Sequence, residues 1–169
     1  MPLFIPVLDG VGPPAGGGAP PPATVLPMIV VEPVRTWSPE LERAAARLLS
    51  QLSPSRTPPG RAALEDLLAD PLATLLVARA EGQIVGMALV AMHRKLTHLT
   101  ARLEEVVVDE LARGRGAGEA LVTAALDEAR RREAPEIELR TSPWREAANR
   151  LYPRLGFRRY DSNVYVRDL

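Results

Sequence analysis

The chain has no cysteine. That removes disulfides, thiolate nucleophiles and cysteine-ligated metals together, and it suits an intracellular, cytoplasmic protein. Lysine is almost missing as well, with Lys95 alone beside the arginines, a skew that carries little functional weight. There is no net charge, 21 basic residues against 21 acidic, so neither nucleic acid nor an anionic membrane is indicated as the main partner. No run approaches the roughly 20 apolar residues that spanning a bilayer needs. Before Arg35 the chain has neither Lys nor Arg, and prolines interrupt its early apolar stretches, so no signal peptide is expected.

What is present is enough for one core: 169 residues with 46% apolar side chains. Residues 1–27 hold eight prolines and five glycines, including Gly16-Gly17-Gly18 and Pro20-Pro21-Pro22. They read as a flexible or polyproline-like arm before a folded domain over 28–169. Ile29 to Val34 reads as a short strand. Ser38-Pro39-Glu40 caps a helix that carries Leu41, Ala45, Leu48, Leu49 and Leu52 on one face, and a second helix follows over Arg61 to Ala69. Thr74 to Ala80 and Ile84 to His93 form a hairpin around Glu81-Gly82-Gln83. Leu99 to Val108 is the next strand, reached through a turn near Lys95 to His98. A helix over Gly116 to Glu133, a strand over Glu136 to Thr141 and a helix from about Trp144 to Leu155 follow. Phe157 to Tyr160 and Val164 to Val166 read as a closing pair of strands.

The densest signal lies where the Leu99 to Val108 strand runs into a helix through Arg113-Gly114-Arg115-Gly116-Ala117-Gly118-Glu119. Glycines at a helix start let a ligand approach backbone N–H groups that have no intrahelical partner. The helix dipole and the two arginines add positive charge, so the segment is an anion cradle suited to a phosphorylated ligand. It is not a Walker loop, since no Gly-Lys-Ser/Thr follows, and its glycine spacing is wrong for a dinucleotide fingerprint.

Arg113-x-x-Gly116-x-Gly118 after Val106-x-Val108, with Leu151-Tyr152-x-x-Leu155-Gly156-Phe157 about thirty residues on, resembles the GNAT N-acetyltransferase superfamily over residues 28–169. The resemblance implies an α/β (α+β) fold: a mixed, mostly antiparallel central sheet of six to seven strands flanked by about four helices. It implies an N-acetyltransferase, an acyltransferase that takes acetyl-CoA as co-substrate and moves the acetyl group directly to a primary amine. The partners implied are acetyl-CoA and an amine of a small molecule or peptide, with no nucleic acid, no membrane and no metal, and with room for a homodimer.

In that family the segment matching Arg113 to Glu119 binds the pyrophosphate through backbone amides, and the strand matching Val106, Val107 and Val108 pairs its backbone with the pantetheine arm. Tyr152 matches the usual general acid, a phenol that protonates the departing thiolate. The Asn that relatives often carry seven residues before this Tyr is Arg145 here, and Asn149 is the candidate to take over its contact. A base for the amine is left open among Glu104, Glu105, Glu138, His93 and His98. Strict strand alternation would point Glu104 and Glu105 to opposite faces. Trp37, Trp144, Tyr160 and Tyr165 are candidates for the acceptor pocket. A non-catalytic acyl-CoA sensor is the competing reading, since it would keep the cradle and need no acid.

Overall fold

The computed structural model describes residues 28–55 and 57–168; the arm expected over 1–27 lies outside them. Its first strand, β1 (Val30–Val34), has a neighbour on one side only. Pro33, which has no N–H to give, is tolerated on such an edge. The Ser38 hydroxyl accepts from Leu41 N at 3.1 Å and Pro39 opens α1 (Pro39–Leu52), which buries Leu41, Ala44, Ala45 and Leu48. A shorter α2 (Arg61–Ala69) buries Leu64. β2 (Ala73–Ala80) and β3 (Gln83–Arg94) are joined by Glu81 and Gly82, whose φ angles of 50° and 78° make a tight turn with the twist of the strands it links. Lys95 N donates to His98 O at 2.9 Å to close the second hairpin, and β4 (Leu99–Val108) returns along β3. After a 3₁₀ turn at Glu110–Ala112 come α3 (Ala117–Arg131), β5 (Ile137–Leu139) and α4 (Glu146–Arg154).

The strands lie in the order β1-β2-β3-β4-β5, the first four antiparallel and β5 parallel to β4. This is the mixed, mostly antiparallel sheet of an α/β fold, with helices on both faces. On one face Leu76, Ala78, Ala88, Val90 and Leu103 pack under Leu121, Val122 and Ala125 of α3. On the other, Leu75, Val77 and Met87 pack under Leu41, Leu48 and Leu64. Fully burying one such Leu or Val stabilises the fold by about 1.5–3 kcal/mol. α3 comes close to the sheet because Gly86 lies beneath it: a Cβ there would sit 3.0 Å from Val107 O and 3.1 Å from Leu121 Cδ1.

β4 is not a regular strand. Met87 pairs with Val107 and Leu89 with Glu104, so Ala88 faces two residues, Glu105 and Val106. Glu105, at φ 52°, absorbs the extra residue as a β-bulge. The simple alternation expected through Glu104 and Glu105 is therefore corrected: Ala101 and Leu103 face α3, the parity then shifts, and Val106 and Val108 face α3 while Val107 turns toward α1. β5 pairs only with Ala101 to Leu103. Past Leu139 the two strands part, and Glu104 to Val108 has no strand on that side among the described residues.

Five strands form among the described residues, where six to seven were expected. The closing pair over 157–160 and 164–166 is not formed: Tyr160, Val164, Tyr165 and Val166 are exposed. The physical reason lies in β5, whose three residues offer too short an outer edge to hold a returning hairpin.

Candidate active site

The cradle has the backbone that its glycines predict. Gly114 and Gly116 take φ of 77° and 85°, the left-handed region that only glycine enters without strain, and a Cβ at either would meet nothing within 4 Å. Gly116 caps α3 and supplies no side-chain bond. The first-turn amides of Ala117, Gly118 and Glu119 therefore point outward at the positive end of the helix dipole. Ala117 is buried, which anchors this turn on the sheet. Arg113 folds back, its Nε donating to Val108 O at 3.2 Å, and so pins the turn to the end of β4. Arg115 is exposed and makes no ion pair among the described residues. The Glu119 carboxylate accepts from Arg154 at 2.8 Å, which ties the start of α3 to the end of α4. Free amides, a dipole and an exposed cation around open space fit the diphosphate of acetyl-CoA.

From the cradle, β4 leads into a cleft of about 310 Å³ where β4 and β5 separate. Glu105 and Val106 line one wall and Thr141, Ser142 and Tyr152 the other, with the end of α1 at Leu52 and Ser53 across the mouth. The α4 helix carries Tyr152 into this space, braced by an edge-to-face contact with Phe157 at 5.6 Å between ring centroids. Burial raises the phenol above its ordinary value of 10.0, and the charge of Arg145 opposes that in part. The proton is thus held at neutral pH. The backbone groups of Glu104 to Val108 on the side away from β3 are the ones left without a strand, so an extended ligand arm has an edge to pair with. The side chain of Val107 is buried, and those of Val106 and Val108 are half-buried.

The five candidate bases are dispersed. Glu138 pairs with Arg102 at 2.7 Å, and Glu104 lies 3.6 Å from the same guanidinium. His98 sits at the far end of β4, bonded to Thr97 and Glu136, and His93 is paired with Thr100 at that same end. Glu105 alone of the five lines the cleft with Tyr152. Asn149 spends its amide within the loop before α4, donating to Ser142 O at 2.8 Å and Arg145 O at 3.0 Å. Arg145 itself lines the cleft and reaches Leu52 O at 3.0 Å. Trp144, Tyr160 and Tyr165 are exposed, while Trp37 is half-buried beside α1, its indole donating to Glu42 at 3.0 Å. Sequence reasoning missed Arg140 and Thr141 in the cleft wall. One signal could have found them: they follow the carboxyl end of a parallel strand, where open sheets place their ligand sites. No group of His, Asp or Glu side chains among the described residues is arranged to hold a metal.

The family model described as Acetyltransferase (GNAT) family matches residues 40–157. The chain belongs to the GNAT acetyltransferase family. Its enzyme class is that of an N-acetyltransferase, and GNAT enzymes take the acyl group from acetyl-CoA. The chain is similar to glucosamine 6-phosphate N-acetyltransferase 1 of Oryza sativa subsp. japonica, 35% identical over 115 residues, which cover 62% of this chain and 68% of that protein. Among solved structures, a putative acetyltransferase from Agrobacterium tumefaciens superposes with a TM-score of 0.73 at 25% identity, covering 82% of this chain and 99% of the other. A transcriptional regulator from Bacillus halodurans superposes with a TM-score of 0.72 at 26% identity, covering 83% and 100%. No helix among the described residues is long and apolar enough to cross a membrane.

Proposed function

We propose that this GNAT chain moves an acetyl group from acetyl-CoA directly to a primary amine, with no acyl-enzyme. The observation that carries the reading is the cleft itself. Tyr152, Glu105 and the unpaired edge of β4 meet in one space, and the cradle lies at the end of the same strand. The first-turn amides of α3 and Arg115 hold the pyrophosphate. Val106, Val107 and Val108 hold the pantetheine arm through their backbone, and an N–H of this stretch polarises the thioester carbonyl. Glu105 accepts the proton that the amine gives up. As nitrogen bonds to the carbonyl carbon and the C–S bond breaks, Tyr152 gives its proton to the departing sulfur and later regains one from solvent. The products are the acetamide and free CoA.

Acetyl-CoA consumption over a panel of amines tests this, and the acceptor in the name of the rice relative, glucosamine 6-phosphate, belongs in it. Tyr152→Phe is expected to lower kcat about 100-fold while CoA affinity, measured by calorimetry, stays unchanged. Equal turnover by the variant would remove the acid role. CoA binding without turnover of any amine would favour the sensor.

A further inference from the structure

Two guanidinium groups stand in the cleft with no carboxylate partner among the described residues. Arg140, just after β5, makes no hydrogen bond or ion pair among the described residues, and it lines the cleft. Arg145 spends one N–H on Leu52 O at 3.0 Å, which leaves most of its five donors open. Between them Thr141 keeps its Oγ1 out of water with no hydrogen-bond partner. Glu105 is the single carboxylate in the lining. The cleft therefore presents two positive charges and an unsatisfied hydroxyl on one wall, and one negative charge on the other.

These cations are badly placed for the cradle's anion. α4 runs from its capping residue Arg145 at the cleft to Arg154, which bonds Glu119 in the first turn of α3. Nine helical residues span roughly 13 Å, and Tyr152 lies between the two ends. A diphosphate on the α3 amides is thus served by Arg115, while Arg140 and Arg145 line the cleft together with the phenol.

We infer that the acceptor is an amine that also carries an anionic group, a phosphate or a carboxylate, held by Arg140 and Arg145 while its amino group lies toward Glu105 and Tyr152. This rests on the acetyl-transfer reading. Guanidinium forks bind both anions through paired N–H donors, so the shared chemistry is recognition of a planar or tetrahedral oxyanion.

Two matched pairs of acceptors separate the sources: glucosamine 6-phosphate against glucosamine, and an amino acid against its amide. In one pair the anionic member is expected to show a kcat/KM higher by roughly 10- to 100-fold at low salt, the range of one or two charge-assisted hydrogen bonds. The preference should shrink as ionic strength rises. It should also fall in Arg140→Gln, which breaks no hydrogen bond or ion pair among the described residues, and further in the Arg140→Gln/Arg145→Gln pair, whose folding is checked by thermal melting. No preference in either pair, with amines still acetylated, overturns the inference and leaves acetyl transfer standing. If no amine is acetylated, the transfer reading falls, and calorimetry on the CoA-loaded protein decides the anion site. Tighter binding of the anionic member, lost in Arg140→Gln, supports it, and equal binding overturns it.

Discussion

Tyr152 and Glu105 reach the same cleft by unlike routes. Tyr152 was legible from its place in Leu151-Tyr152-x-x-Leu155-Gly156-Phe157, because a helix of that length brings one known face to the sheet. Its raised pKa needs the fold, since burial causes it. Glu105 was one of five candidates until the bulge set it apart. The φ of 52° turns it out of the ladder, whereas Arg102 occupies Glu104 and Glu138. A bulge of this kind leaves no mark in a run such as Leu103-Glu104-Glu105-Val106, since either glutamate could absorb the extra residue. The expected outcome is a contrast: Glu105→Gln lowers kcat about 100-fold, while Glu104→Gln changes it little. Steady-state kinetics on both variants makes the check.

At the scale of elements, the turn from β4 into α3 was the most legible part of the molecule. Gly114 and Gly116 stand where the backbone needs positive φ, and Ala117, Leu121, Ala125 and Ala129 fall on the buried face of α3. Gly116→Glu is expected to abolish CoA binding in calorimetry, since it places an anion in the pyrophosphate site and forces a left-handed φ on a residue with a Cβ. Retained affinity would show that the diphosphate sits elsewhere. The C-terminal segment was the element read wrongly. Its alternating Tyr160, Val164 and Val166 have the period of strands, but period alone does not supply a neighbour, and β5 is too short to be one.

Across the whole molecule, α3 is fastened to the sheet at the end remote from the cradle. Glu128 of α3, only 8% exposed, accepts from Thr74 of β2 at 2.8 Å and from Arg131 at 3.0 Å. Arg132 donates to Pro71 O at 2.6 Å. Burial pushes the Glu128 carboxyl up, but the hydrogen bonds from Arg131 and Thr74 and the charges of Arg131 and Arg132 together outweigh it, and the net shift is down from 4.5. A depressed carboxylate contributes stability that is fully present above its unfolded value and is lost as pH falls through the folded one. Thermal melting should therefore show Glu128→Gln less stable at pH 7 by about 2 kcal/mol, or roughly 4–8 °C for this size. The gap between variant and parent should narrow as pH drops below 4.5. A gap that is constant with pH would mean that packing, not charge, holds the tie.

What depends on neighbours along the chain was legible before folding: the helix starts at Ser38 and Gly116, the hairpin at Glu81-Gly82, the amphipathic faces, and the motif that marks a GNAT chain. These features rest on local dihedral preference and short spacing, which a single chain displays in full. What depends on residues far apart emerged only from the fold. It parted β4 from β5, shifted the parity of β4 at Glu105, and gathered Arg140, Thr141, Arg145 and Tyr152 around one cleft. Register and strand separation follow from packing across the sheet, where a Cβ at Gly86 would press tightly on Val107 O and Leu121 Cδ1. No local stretch of sequence carries that constraint.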